Sequence, residues 1–106
     1  MSSYSSICEQ ATRLLRVKKN LKIEFSNWSP TSETKFPHSI TYLACYFTIA
    51  DGHIRILIPE TYFCEKNMGI DTSAGIRDVF DFDQRYILRV AYDILQCMRN
   101  DEYEYI

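Results

Sequence analysis

The sequence predicts an α+β fold: a three-stranded antiparallel sheet packed by an N-terminal helix and a long C-terminal helix. Apolar residues recur at helical spacing near the N-terminus and again from Ile76 to Met98, and two strand-like runs flank Asp51-Gly52. A chain of 106 residues suits one domain. Its predicted parts are an N-terminal helix (1–20), the sheet (21–58), and helices with an acidic tail (59–106).

The N-terminal helix is predicted to run from about Ser6 to Lys19. Ser6 and Glu9 match the S-x-x-E capping box, whose two side chains bond backbone amides at the helix start. Asn20 follows the last basic residue and ends the helix. The stripe expected to face the core is Ile7, Ala11, Leu14 and Leu15.

The first strand is predicted around Leu21, Ile23 and Phe25, which alternate with polar residues. The next segment, SNWSPTSETKFPHS, is rich in turn-forming residues and predicts a loop over 26–39. Trp28 in that loop either anchors it over the core, the favoured interpretation, or contacts a partner.

A β-hairpin is predicted from the two runs that flank Asp51-Gly52. Residues 40–50 and 53–58 are rich in β-branched and aromatic side chains, and Asp-Gly is typical of a two-residue type I′ turn. That turn fixes the register and sets apolar residues opposite one another on one face. The predicted pairs are Ala50–His53, Ile49–Ile54, Phe47–Ile56 and Cys45–Ile58, with Thr48–Arg55 and Tyr46–Leu57 on the other face.

The second face of this hairpin is too apolar to be plain solvent surface. It carries Tyr42, Ala44, Tyr46, Thr48, Arg55 and Leu57. Either the N-terminal helix covers this face or another protein does.

A short helix is predicted after the sheet. Pro59 suits its first position in PETYFCEKN, and Gly69 closes it. Thr72 or Ser73 can then cap the segment that follows.

The last helical stripe begins at Ile76 and is interrupted where Asp83 falls in its centre. One long helix would turn that carboxylate inward, and an unpaired buried carboxylate is costly. A break near Asp81 is therefore favoured over one long helix, with a final helix from about Phe82 to Arg99.

Composition excludes several classes of protein. The net charge of −2 gives no general attraction to phosphate backbones or anionic membranes. No apolar run approaches the length of a membrane span, and MSSYSSICEQ does not resemble a signal peptide, so a cytoplasmic location is expected. The cysteines lie far apart and are expected to be small buried apolar side chains; they are Cys8, Cys45, Cys64 and Cys97.

No catalytic, cofactor or metal site is predicted. His38 and His53 are the only histidines, and both are expected on the surface. No zinc-ligand spacing or phosphate-binding glycine loop occurs. The cluster Asp78, Asp81 and Asp83 is better explained by capping and solubility than by metal binding. The chain is therefore expected not to be an enzyme.

From Leu21 to Met98 the sequence resembles a family of short bacterial proteins, domain of unknown function 1488. The resemblance rests on IEF followed by Trp28, on YFTIADGHIRILIPETYF, on MGID, and on a late helix with Arg85, Ile87 and Ala91. Two features depart from the family pattern: Asp81 stands where an aromatic precedes the arginine, and the N-terminal helix has no counterpart. The resemblance implies a fold and brings no known activity.

Protein binding is the function that remains. Aromatic residues make up 14% of the chain, and tyrosine supplies large contact areas in interfaces. We therefore expect a non-catalytic protein that binds and modulates a macromolecular partner, as an inhibitor, immunity protein or adaptor. The candidate contact residues are Tyr42, Tyr46, Arg55, Leu57, Tyr86, Tyr92, Tyr103 and Tyr105.

Two alternatives stay open at this point. Arg13, Arg16 and Lys19 share a helical face and, with Arg55, form a thin basic footprint that a nucleic-acid-associated regulator would use. Alternatively, the apolar second hairpin face is a homodimer interface in a structural module.

Overall fold

Two helices and one antiparallel sheet make up the part of the chain that the computed structural model describes, residues 3–35, 38–63 and 76–106, with side chains of 76–83 left aside. The helices are α1 (Tyr4–Lys19) and α2 (Ile76–Arg99). The strands are β1 (Ile23–Pro30), β2 (Tyr42–Ile49), β3 (Gly52–Pro59) and β4 (Glu104–Tyr105), and a 3-10 turn spans Glu60–Tyr62. The α+β class is confirmed, but the sheet has four strands, in the order β1-β2-β3-β4, not three.

Helix α1 begins earlier than the sequence predicts. Its N-cap is Ser3, whose hydroxyl accepts the backbone N–H of Ser6 at 3.1 Å. The capping box predicted at Ser6 is therefore wrong, because Ser6 lies inside the helix and its hydroxyl accepts from the Gln10 side chain. The predicted end is confirmed: Asn20 adopts the left-handed conformation with φ of 53°.

Strand β1 runs through the segment predicted as a loop. A β-bulge lies between Phe25 and Asn27, so the inward positions change from odd to even numbers along the strand. Both Phe25 and Trp28 consequently pack against the core. The loop prediction for residues 26–30 is wrong because the bulge interrupts the alternation that identifies a strand. The favoured interpretation of Trp28 as a core anchor is confirmed, with its ring edge-on to Tyr4 at 4.8 Å between centroids.

The β2–β3 hairpin is present, but its register differs from the predicted one by two residues. The turn consists of Ala50 and Asp51, and Ile49 pairs with Gly52. Neither Ala50 nor Asp51 has a positive φ, so the turn is not type I′. The observed pairs include Phe47–Ile54, Cys45–Ile56, Tyr46–Arg55 and Thr48–His53. Side chains alternate with a period of two, so this shift leaves every residue on its predicted face.

Helix α2 is continuous from Ile76 to Arg99, so the predicted break near Asp81 is wrong. No Gly or Pro occurs within this helix, and nothing in the backbone chemistry interrupts its hydrogen bonds. The predicted caps Thr72 and Ser73 lie outside the described residues. Of the predicted short helix, only the 3-10 turn lies in the described part, and the rest of PETYFCEKN after Phe63 and the closing Gly69 lie outside it.

Both helices pack on one face of the sheet, which we call the inner face. Helix α1 contacts β1 and α2, and α2 contacts β3. The α1 stripe meets the inward side chains of the hairpin in one buried cluster. The completely buried members of the sheet include Cys45, Phe47, Ile54, Ile56 and Ile58. Because α1 lies on the inner face, it does not cover the second face of the hairpin.

Candidate functional site

The opposite, outer face of the sheet is the candidate functional site. Side chains of paired residues lie on the same face, so the register brings Tyr46 beside Arg55 and Thr48 beside His53. The Thr48 hydroxyl lies 3.2 Å from the His53 Nδ1 atom and 3.2 Å from the Ser26 hydroxyl of β1. The outer face therefore carries a row of hydrogen-bonded polar side chains across three strands.

One half of the outer face is covered by the chain itself. Residues 31–35, which we call the strap, follow β1 and cross this half. Lys35 Nζ lies 5.3 Å from the centroid of the Tyr42 ring and donates a hydrogen bond to the Leu57 carbonyl at 3.4 Å. Tyr42 is consequently only 4% exposed. The strap therefore covers part of this end of the outer face.

Arg55 joins the strap to the C-terminal strand. Its guanidinium donates to both carboxylate oxygens of Glu33 in the strap, at 2.6 and 2.8 Å, and to Glu104 in β4 at 2.7 Å. The hydrogen bond from Arg55 lowers the pKa of Glu33, and the two carboxylates raise the pKa of Arg55. Neither Glu33 nor Glu104 lies in a recognisable motif, so the sequence did not predict their contacts with Arg55.

The other half of the outer face is open and concave. A depression of about 490 Å³, which we call the outer groove, lies beside the hairpin turn. Tyr46 lies in it, with its hydroxyl 3.5 Å from the Ser29 hydroxyl, and Ile106 closes one side through a hydrogen bond from its N–H to the His53 carbonyl. The exposed or half-buried residues that line it are Ser26, Asn27, Ser29, Tyr46, His53 and Ile106.

The predicted contact tyrosines do not form one surface. Tyr42 and Tyr86 are 4% and 6% exposed, so their side chains belong to the interior and we remove them from the candidate surface. Tyr92 is 63% exposed on α2, on the helical side of the sheet. The structure thus separates Tyr92 from Tyr46, which the sequence could not do.

Tyr105 contacts the hairpin turn, and Tyr103 packs against Tyr105. Their rings meet edge-on at 5.5 Å between centroids, and the Tyr105 hydroxyl donates to Asp51 at 3.3 Å. The hydrogen bond with Tyr103, together with burial and the charge of Asp51, raises the pKa of Tyr105 to about 12. Tyr103 packs against the core, whereas Tyr105 remains largely exposed beside Gly52.

The described thiols are poorly suited to chemistry. Cys8, Cys45 and Cys97 are free and buried, as predicted; Cys64 lies outside the described residues. Burial raises the pKa of Cys97 to about 12, and a hydrogen bond with Cys45 together with burial raises the pKa of Cys8. A thiol nucleophile acts as its thiolate, so these environments oppose reactivity.

Other chemical features of the described residues are few. His38 and His53 are both exposed, as predicted. Among the residues described, no three His, Cys, Asp or Glu side chains come together as a metal site requires. None of the described helices combines the length and apolar character that a membrane crossing demands.

Comparison with known proteins finds no match to any family model, curated protein or solved structure. The resemblance to domain of unknown function 1488 stays a prediction.

Proposed function

We propose that this chain is a non-catalytic protein-binding domain that modulates a macromolecular partner, as an inhibitor, immunity protein or adaptor would. The contact surface is the outer groove. The observation that carries the proposal is the open concave half of an outer face whose other half the strap already covers.

The chemistry of the outer groove supports a protein partner. Tyr46 and Ile106 offer aromatic and aliphatic contact area, while Ser26, Ser29 and His53 offer hydrogen-bonding groups around them. Interfaces between proteins combine such apolar centres with polar rims. An interface of about 800 Å² per partner would take little more than a tenth of the 6867 Å² of accessible surface.

The placement of the cations favours a protein partner over a nucleic acid. Arg16 donates to the Ile23 carbonyl at 2.7 Å, and Arg55 is held between two carboxylates. Two of the four cations in the predicted basic footprint are thus engaged within the chain. A phosphate backbone would have to displace these contacts before it could bind them.

Site-specific photo-crosslinking tests the proposal. A photoreactive phenylalanine analogue replaces His53, which is exposed at the outer groove, and in a matched control it replaces Val17, which is 73% exposed on α1. After irradiation in the native cell, we expect a discrete protein adduct from position 53 that excess unmodified protein competes away, and none from position 17. An adduct from position 17 alone, or equal unspecific labelling from both positions, would contradict the proposal.

A further inference from the structure

Positive charge is concentrated where α1 ends and the chain enters β1. Residues 13–24 have one carboxylate, that of Glu24, and five cations: Arg13, Arg16, Lys18, Lys19 and Lys22. This stretch therefore carries a net charge of +4, and since the whole chain carries −2, the remaining residues carry −6. Among the described residues, both ion pairs belong to Arg55, so no carboxylate in that part of the chain neutralises these five cations.

A second depression of the surface, which we call the basic groove, lies beside these cations and has a volume of about 390 Å³. Its lining combines positive charge with accessible apolar side chains. The residues that supply these groups are Arg16, Leu21, Lys22, Ile49 and Ala50.

The cations at the basic groove differ in what they can bind. Arg16 already donates to the Ile23 carbonyl at 2.7 Å. Lys22 is exposed in the lining, and exposed Lys19 lies one helical turn beyond Arg16 on the same side of α1. Val17 does not line the groove, and helical spacing places it about 160° around α1 from Lys19. Lys19 and Lys22 are therefore the cations that a ligand in the groove would meet.

The basic groove adjoins the outer groove at Thr48. Thr48 lines the basic groove, and its hydroxyl lies 3.2 Å from the Ser26 hydroxyl and 3.2 Å from the His53 Nδ1 atom. Ser26 and His53 line the outer groove. A polypeptide bound in the outer groove can therefore continue into the basic groove along the same face of the sheet.

We propose that the basic groove binds an acidic segment of the protein that occupies the outer groove, an assignment that rests on the proposed function. Carboxylates of this segment pair with the ammonium groups of Lys19 and Lys22, and its apolar side chains contact Leu21 and Ile49. Complementary charge of this kind speeds encounter and selects among partners. The basic groove thereby selects a partner that presents carboxylates beside apolar residues.

A protein segment fits the basic groove better than a nucleic acid does. A phosphate backbone carries a negative charge about every 3.4 Å along each strand, so it would bring phosphates close to Glu24, which also lines the groove. A polypeptide can place an uncharged residue at that point. The apolar groups of Leu21 and Ile49 can pack against apolar side chains, for which a phosphate backbone has no counterpart.

Fluorescence anisotropy at low salt tests the proposal with a labelled, capped peptide of Glu-Glu-Leu repeats as the probe. We expect this peptide to bind more tightly than an oligothymidylate of equal charge. Lys19→Gln combined with Lys22→Gln should raise the Kd of the peptide at least about fivefold, because two exposed cations that pair with carboxylates are removed. The matched control combines Arg85→Gln with Arg99→Gln, at exposed positions on α2, and should change the Kd less than about twofold.

Equal effects of the two double variants would overturn the proposal, because the peptide would then respond to overall charge and not to the basic groove. Tighter binding of the oligothymidylate would also overturn it, as would a failure of the peptide to bind the unmodified chain. The peptide measurement needs no partner, so its failure would leave a crosslinked adduct from position 53 as support for the outer groove. Absence of that adduct would instead contradict the proposed function and leave the peptide result unchanged.

Discussion

At the scale of single residues, the carboxylate of Asp93 lies in an environment that disfavours its negative charge. It is largely buried on α2, and its Oδ2 atom has no hydrogen-bond partner among the residues that the structure describes. Burial raises the pKa of Asp93 to about 6; Lys35 partly opposes this shift and Glu102 adds to it. Burial raises the pKa of Tyr62 and of Cys97, and the charge of the nearby Asp93 carboxylate adds to both shifts. The folded state therefore prefers the protonated form.

Asp93→Asn should stabilise the protein above pH 7 by about 2 kcal/mol and have little effect near pH 4. The native pKa of the carboxyl exceeds its unfolded value of 3.8, so the folded state binds more protons than the unfolded state between these values. Stability should consequently rise in the unmodified chain as the pH falls from 7 towards 4. Denaturant unfolding across this range measures the effect, with Glu24→Gln, at an exposed position on β1, as the control. Equal stability of Asp93→Asn and the unmodified chain at pH 7.5 would contradict it.

Gly52 and Asn20 give a pair of opposite predictions about backbone conformation. Gly52 has a φ of +147°, where an L side chain is strained, although an added Cβ would meet only the Tyr105 ring at 3.6 Å. Gly52→Ala should therefore lose about 1 kcal/mol or more of unfolding free energy. Asn20, with a φ of 53°, should tolerate Asn20→Gly without loss. Thermal melting of both variants checks this, and an unchanged Tm for Gly52→Ala would refute the backbone argument.

At the scale of secondary-structure elements, Arg55 holds the strap and β4 against β3. Arg55→Gln should loosen both together, because it removes the hydrogen bonds to Glu33 and Glu104 at once. The Ile106 amide, which bonds the His53 carbonyl, should then exchange its hydrogen faster. Added salt should speed this exchange in the unmodified chain more than in the variant. Arg13→Gln, at an exposed position on α1, is the control. Equal exchange rates of the Ile106 amide hydrogen in the unmodified chain and in both variants would contradict this role of Arg55.

The elements that the sequence predicted correctly are those with an uninterrupted period. The α1 stripe and the two faces of the hairpin follow from spacing alone. The predicted faces were correct although the register was wrong, because a shift of two residues leaves each side chain on the same face. The features that the sequence did not predict either interrupt the regular spacing of apolar residues or are too short to show one. The bulge at Ser26 shifts the phase of β1, and β4 has only two residues, in a tail that reads as charged.

The sequence predicted only part of the candidate site, because several of its contacts join residues that lie far apart in the chain. Tyr46, Arg55 and Leu57 were placed on the outer face by alternation. Glu33 and Glu104 bind Arg55 from positions 22 and 49 residues away, and no local pattern encodes such contacts. The burial of Tyr42 likewise depends on the strap, which the sequence presented only as a loop.

At the scale of the whole molecule, the two sides of the sheet have different roles. The inner face, with both helices, holds the core. The outer face is divided between the strap, which covers Tyr42, and the outer groove, which leaves Tyr46 and His53 accessible. Helix α2 presents a separate exposed tyrosine, Tyr92, on the helical side. Two predicted contact residues of the same chemical type therefore lie on different surfaces, and substitutions can tell these surfaces apart.

The affinity of the crosslinked partner for two matched variants tests the central claim most directly. Calorimetric titration of that partner compares the unmodified chain with Tyr46→Ala and Tyr92→Ala, after circular dichroism shows that both variants are folded. We predict at least a tenfold rise in Kd for Tyr46→Ala, since loss of a central interface aromatic typically costs more than about 1.4 kcal/mol, and an unchanged Kd for Tyr92→Ala. An unchanged Kd for Tyr46→Ala with a weakened Tyr92→Ala would place the partner on the helical side and contradict the account.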